Sequence, residues 1–367
     1  MSRFSPYLGI VAALAVGVLL GFFSGGTAVV RAPETVSVPE FTTSLSSIES
    51  ATTAASAQSA PVAVAVPLEQ SSVVSVTPSI SLQPSISAAE LDAKLNATAT
   101  TLRSALVNII CSAPAGSAVH SMSGSGVIID SKGIIITNAH IAQYFLLADR
   151  GVSCVIRSGS PAVNAYNANL MYISPTWLRS NANVLTETLP NGTGEYDFAL
   201  LAISKSATSA TIPSSFPSIP LAVLQSSADT PVVIASYGAQ FLQSSQITSE
   251  LFPTIVFGST KEVFTFGTNT IDVLALGGSV AAQEGSSGGG VADVSGELVG
   301  MITTSTVTGA TDTRSLNAIS ASYIRAEYAN ETGQAIDLLL KEDTTTAVSD
   351  FSSRISELES IITAKLP

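Results

Sequence analysis

Histidine is the scarcest side chain in this sequence that can exchange a proton near neutral pH. There are two, His120 and His140. His120 sits in VHSMSGSG, a polar stretch flanked by glycine that reads as exposed loop. His140 sits in IIITNAHIAQYF, where an apolar strand ends and a short helical segment can begin. A general base needs that setting: a rigid element behind it and one ring nitrogen toward a cleft. A second candidate group is Gly285-Ser286-Ser287-Gly288-Gly289-Gly290. Gly/Ser runs are usually flexible linkers, but this one is six residues long and lies tightly between apolar segments. A tight glycine turn exposes a serine Oγ and leaves backbone N–H groups pointing outward, which is how an oxyanion is bound. The third piece is Asp197, directly before the apolar run Phe198 to Ile203. A carboxylate at the rim of a core can fix a histidine tautomer and stabilise its imidazolium. Asp130, in a turn, and Asp149, in a polar loop, are rivals for that role.

Each group alone also has a structural reading. Together, in the chain order His, Asp, Ser, they have the order of one of three known triad arrangements; the other two run Asp-His-Ser and Ser-Asp-His. GSGVIIDSKGIIITNAHI, then YDFALLAI, then EGSSGGGVADVSGELVGM resembles the trypsin-like serine peptidases of the bacterial HtrA/Deg kind, over about residues 106 to 325. The resemblance implies two perpendicular six-stranded barrels with the site between them. It implies His140 as base, Asp197 as its orienting carboxylate, Ser287 as nucleophile, and the N–H groups of Gly285 and Ser287 as oxyanion hole. The substrate pocket would be based on Ala281 and walled by Thr303, Thr304 and Ser305. No carboxylate stands at that base, so cleavage after Lys or Arg is not expected. Gly290 stands where relatives carry Pro or a small apolar residue. Ser286 stands where digestive relatives carry an Asp that pairs with a freed N-terminus, so activation by that route is not expected. Fewer than 50 residues follow residue 325, too few for the PDZ domain that HtrA relatives carry.

The elements that must position these residues are short apolar runs: ALVNII, GSGVIID, GIIIT, SCVI, FALLAI, PVVIAS, TIDVLAL and GELVGMI, separated by Gly, Ser and Asn clusters. No long helical pattern intervenes, which predicts an all-β barrel or sandwich rather than a parallel sheet with crossover helices. VIID-SKG-IIIT reads as a hairpin turning at Ser131 to Gly133. Cys111 and Cys154 each lie in a strand-like run beside His140 and are expected to form a disulfide, with free buried thiols as the alternative.

Composition excludes other classes. Fifteen Lys and Arg against 27 Asp and Glu give a net charge of -12, so no basic surface exists for nucleic acid. Two Cys 43 residues apart and two His 20 apart do not make a structural metal site. No glycine loop leading to Lys-Ser/Thr occurs. No metal or other cofactor is expected, and the partners expected are polypeptide substrates.

Outside the β region the pattern changes. Between Arg3 and Arg31 lie 27 residues without a charge, which as a helix would reach about 40 Å against a hydrocarbon core of about 30 Å. Residues 1–31 are expected to be a membrane anchor or a cleaved signal peptide, and either would export the rest. Residues 32–87 are rich in Ser, Thr, Ala, Val and Pro and read as a disordered stalk. The peptidase domain is expected over 88–325, opening on a helix with Leu91, Leu95 and Leu102 on one side. Residues 326–367 read as a helical tail in which Val348, Phe351, Ile355, Leu358 and Ile362 form an a/d seam. Self-association into a homo-oligomer and packing back on the barrel are both open for it. A peptidase fold without activity, serving as a binding or scaffold module, is the alternative function.

Overall fold

A computed structural model describes residues 86–187, 192–267, 270–305 and 308–366, the side chains of Thr304 and Ser305 excepted. The expected membrane span and the stalk up to residue 85 lie outside these residues. Among the described residues no helix is long and apolar enough to cross a membrane.

The first half of the β region is a closed barrel. Its strands are β1 (Leu106–Ser112), β2 (Met122–Asp130), β3 (Ile134–Thr137), β4 (Ser153–Gly159), β5 (Ala162–Ile173) and β6 (Ala199–Ser206), in the order β1-β2-β3-β6-β5-β4. β1 pairs with β4 to close the ring. The β-branched run Ile134, Ile135 and Ile136 is buried on both faces, as a strand between two neighbours inside a packed core must be. The β2–β3 turn forms as its residues dictate. Asp130 Oδ1 accepts the Lys132 N–H at 2.8 Å, and Gly133 takes φ +87°, a conformation that costs glycine little. Cys111 and Cys154 stand opposite one another on β1 and β4 and are disulfide-bonded, with Cα atoms 4.0 Å apart. The chain-entropy model values closure of such a loop at about 4 kcal/mol.

The second half departs from the expected six-stranded closed barrel. β7 (Pro231–Ser236), β8 (Thr254–Ser259), β9 (Glu262–Phe264), β10 (Val273–Ala275), β11 (Gly290–Asp293), β12 (Leu298–Ser305) and β13 (Leu316–Ser320) form a seven-stranded sheet in the order β8-β7-β11-β12-β13-β10-β9. The reason is local. Its two edge strands, β8 and β9, are consecutive in the chain, separated by Thr260 and Lys261. Thr260 N–H still donates to Thr230 O beside β7, while Lys261 N–H donates to Ala275 O in β10. The segment changes partner there, so one bent segment serves both edges and is counted as two strands.

Among the described residues, eight α-helices surround the sheets. α1 (Ala88–Ala105) is capped by Ser87, whose Oγ accepts the Glu90 N–H, and runs straight into β1. Its Thr98, Leu102 and Ala105 are buried. α2 (Ala139–Ala142), α3 (Pro175–Asn181) and α4 (Ser244–Ser249) lie in loops, and α5 (Ala321–Thr332), α6 (Ile336–Lys341), α7 (Thr344–Ser352) and α8 (Ile355–Thr363) form the tail. The a/d seam does not run on one helix. The chain breaks at Ser353 and Arg354, α7 packs on β5 and α8 on α3. Phe351, Leu358 and Ile362 are buried within the chain itself. Each such side chain removed from water contributes about 1.5–3 kcal/mol, while Val348 and Ile355 of the seam are half-buried. A buried guanidinium links the halves: Arg157 on β4 donates to Asn108 Oδ1, Ala162 O and the Ile247 and Thr248 carbonyls that end α4.

Candidate active site

His140 and Asp197 are brought together by the ends of two strands. β3 ends at Thr137 and α2 begins two residues later, placing His140 on the first turn of a four-residue helix. Asp197 stands two residues before β6. The chain enters there through Gly194 at φ +87° and Tyr196 at φ +57°. A bulky residue rarely adopts that angle. It is held because the Tyr196 N–H donates to the Tyr323 hydroxyl at 3.0 Å. Burial raises the Tyr323 pKa above its ordinary value, which keeps the phenol neutral.

The carboxylate of Asp197 is 5% exposed as a residue and collects three donors. Oδ2 lies 2.7 Å from His140 Nδ1, Oδ1 accepts the His140 backbone N–H at 2.9 Å, and Oδ2 also accepts Thr303 Oγ1 at 3.0 Å. Asn138 Nδ2 donates to the Asp197 carbonyl at 3.0 Å, and Gln143 Nε2 donates to the His140 carbonyl at 2.9 Å. A carboxylate on Nδ1 fixes the proton there, leaving Nε2 as the basic nitrogen. The His140 side chain is 22% exposed and can meet a substrate.

Ser287 sits on a turn held almost wholly by backbone. Ser286 N–H donates to Gln283 O, Gly288 N–H to Ile302 O and Gly289 N–H to Ser286 O. Gly285 has φ +88°, and a Cβ there would stand 2.8 Å from Tyr237 O. Gly288 has φ +81°, and a Cβ would stand 1.9 Å from Ser125 O and 2.7 Å from Thr137 Oγ1. The Glu284 carbonyl accepts the Ala239 N–H at 2.8 Å, and the Ser287 carbonyl accepts the Ser125 N–H at 2.7 Å. Among the described residues, neither the Gly285 N–H nor the Ser287 N–H has a protein acceptor. Two such donors on one turn can bind an oxyanion. Ser287 Oγ carries no hydrogen bond to His140 among the described residues. Such bonds are often long without substrate.

The other expected site residues fall as follows. Ala281 is buried in the turn before the serine loop. The Thr303 side chain turns to Asp197, where a bulge between Ile302 and Thr304 shifts the register of β12. Thr304 and Ser305 continue β12 opposite Asn317 and Leu316, and their side chains lie outside the described part. His120 is remote in role: it is exposed and its carbonyl accepts the Tyr144 hydroxyl at 2.8 Å. Burial pushes that tyrosine up to about 12. Asp130 is held in its turn, and Asp149 is on the surface. Among the described residues no cluster of His, Cys, Asp and Glu could hold a metal ion.

Sequence reasoning missed two supports. Ser125, within β2, lies under the serine loop. Arg314, buried, donates to Ala282 O and Gln240 Oε1, both at 2.6 Å, and to Gly309 O. It ties three loops beside Ala281, and no local pattern marks it.

The family model described as trypsin-like peptidase domain matches residues 124–301, a span that contains His140, Asp197 and Ser287. No curated protein matches the chain. Among solved structures, the Rv3671c protease of M. tuberculosis in an active form is 18% identical, with 74% of this chain and 96% of that chain covered and a TM-score of 0.41. An inactive form of the same protease is 17% identical, with 67% and 96% covered and a TM-score of 0.40. Over residues 124–301 this chain is therefore similar to the trypsin-like peptidase domain family.

Proposed function

We propose that the chain is a serine endopeptidase that works through an acyl-enzyme. Ser287 Oγ attacks the scissile carbonyl while His140 Nε2 takes its proton. The carbonyl oxygen becomes an oxyanion held by the N–H groups of Gly285 and Ser287. His140 then gives the proton to the leaving amine, and Asp197 holds the imidazole and balances its charge throughout. Water repeats the sequence on the ester and frees Ser287. The observation that carries this reading is the 2.7 Å contact of His140 Nδ1 with a buried carboxylate, beside a serine turn with two backbone donors left unused.

The test is a fluorophosphonate probe together with a peptide library. The protein should be labelled at Ser287, and Ser287→Ala and His140→Ala should each abolish labelling and hydrolysis without unfolding. Near-normal hydrolysis by His140→Ala would sink the mechanism. The 27 uncharged residues after Arg3 support an exported, tethered or secreted domain acting on polypeptides outside the cytoplasmic membrane. N-terminal sequencing of the mature protein separates anchor from signal peptide, and protease shaving of spheroplasts that spared the domain would exclude export.

A further inference from the structure

The geometry points to Ser125 as the positioning residue of the oxyanion hole: its hydroxyl latches the serine loop of the second sheet onto the first barrel. This rests on the peptidase reading above. Ser125 lies on β2 and is fully buried. Its hydroxyl donates to Gly285 O at 2.8 Å and accepts the Tyr237 N–H at 2.9 Å. Its backbone N–H holds Ser287 O at 2.7 Å, and its carbonyl accepts Thr137 Oγ1 at 2.7 Å. One residue of the first barrel thus engages both ends of the Gly285–Ser287 turn, the start of the loop after β7, and the strand that leads to His140.

The two backbone bonds survive any substitution, but the hydroxyl does not. Gly285 is the residue whose N–H must point at the oxyanion, and its two flanking peptide planes set that direction. The plane before it is fixed by Ala239 N–H on Glu284 O. The plane after it is held by Ser125 Oγ on Gly285 O and by the Ser286 N–H on Gln283 O. Glycine has no side chain to resist rotation of these planes, so the hydrogen bonds decide the conformation. Ser286 is buried, and its Oγ has no hydrogen-bond partner. Removing Ser125 Oγ strands a buried carbonyl and a buried N–H, and buried backbone groups seek new partners. The Gly285–Ser286 plane, then held by the Ser286 N–H alone, shifts, and the displaced Gly285 Cα draws the preceding plane and its N–H off line.

The experiment compares wild type with Ser125→Ala, Ser125→Thr and Ser125→Cys on one fluorogenic peptide, with a matching peptide boronic acid as the tetrahedral probe. Loss of one oxyanion donor lowers kcat by about 10²–10³. Loss of its latch should lower kcat by about 10–100-fold, with KM within about twofold. The boronate inhibition constant should rise by the same factor as kcat. The pH midpoint should not move, because the His140–Asp197 pair is untouched, and Ser125→Thr should restore most of the rate. A merely structural role predicts a lowered Tm with kcat of the folded fraction unchanged, and that result overturns the proposal. If Ser125→Ala does not fold, the isosteric Ser125→Cys decides: unchanged kcat and boronate affinity overturn the proposal, and a parallel loss supports it. Active wild type with Ser125→Ala equal to it defeats the latch alone. Wild type that neither hydrolyses peptides nor takes up a fluorophosphonate defeats the peptidase reading as well.

Discussion

The two halves of the β region hold their parts of the site in opposite ways. The first barrel presents His140 and Asp197 through side chains: a carboxylate with three donors, and an asparagine and a glutamine fixing the carbonyls around it. The second sheet presents Ser287 through backbone, with glycines where any Cβ would collide. Each half also takes one support from the other. Thr303 of β12 donates to Asp197, and Ser125 of β2 holds the serine turn. The cleft between such halves is therefore fixed by reciprocal contacts and not by packing alone. The difference also predicts different responses to mutation. The side-chain half should tolerate an isosteric change in fold and lose only chemistry. The backbone half should lose geometry on the smallest addition.

The largest expected effect tests the backbone half. Gly288→Ala adds one methyl group 1.9 Å from Ser125 O, at φ +81°. Both atoms it meets, Ser125 O and Thr137 Oγ1, belong to the barrel and are hydrogen-bonded to each other. The turn must leave the barrel, and with it the Ser287 carbonyl bond. Hydrolysis and fluorophosphonate labelling should both fall below detection, with a lower Tm. Retained labelling would mean that the turn does not pack on β2 as described.

Next in size is Asp197→Asn, which tests the side-chain half. The amide keeps the volume but presents the wrong partner to Nδ1, so the imidazole adopts the wrong tautomer. Turnover should fall by about 10⁴ with the melting temperature nearly unchanged. A large loss of stability with modest loss of rate would reverse the contrast between the halves.

The contrast also explains what could be read in advance from the sequence. His140, Asp197 and Ser287 stand in local motifs, because each needs a particular strand end or turn, and strand ends and turns are written in adjacent residues. The hairpin at Ser131 to Gly133 was legible for the same reason. Ser125 and Thr303 were not, because a hydroxyl at a strand position is common, and its partner lies 160 or 106 residues away. The tail was legible as helix but not in its packing. Its spacing fits an a/d seam, and periodicity records which side chains are buried but not against what. The break at Ser353 and Arg354 and the docking of α8 on α3 follow from the tertiary surface. The seven strands of the second sheet depend on the partner exchange at Thr260 and Lys261, which no run of residue types signals.

The smallest effect concerns the support that the second sheet lends to the first barrel. Thr303→Val removes one hydroxyl from Asp197 Oδ2 and keeps the β-branched shape that β12 packs. Asp197 retains both bonds to His140, so orientation persists and only part of the carboxylate's solvation is lost. A hydrogen bond to a charged group is worth about 1.5–3 kcal/mol at most, and only the share that differs between ground and transition state enters the rate. kcat/KM should therefore fall by about tenfold or less, far from the effect of Asp197→Asn. Combining the two changes separates a direct contact from a general loosening of the cleft. If Thr303 acts through the carboxylate, Thr303→Val should add little once Asp197 is Asn, because the charge it stabilises is gone. Full additivity of the two losses would show that Thr303 supports β12 or the loops beside it, and the reciprocal exchange between the halves would then rest on Ser125 alone.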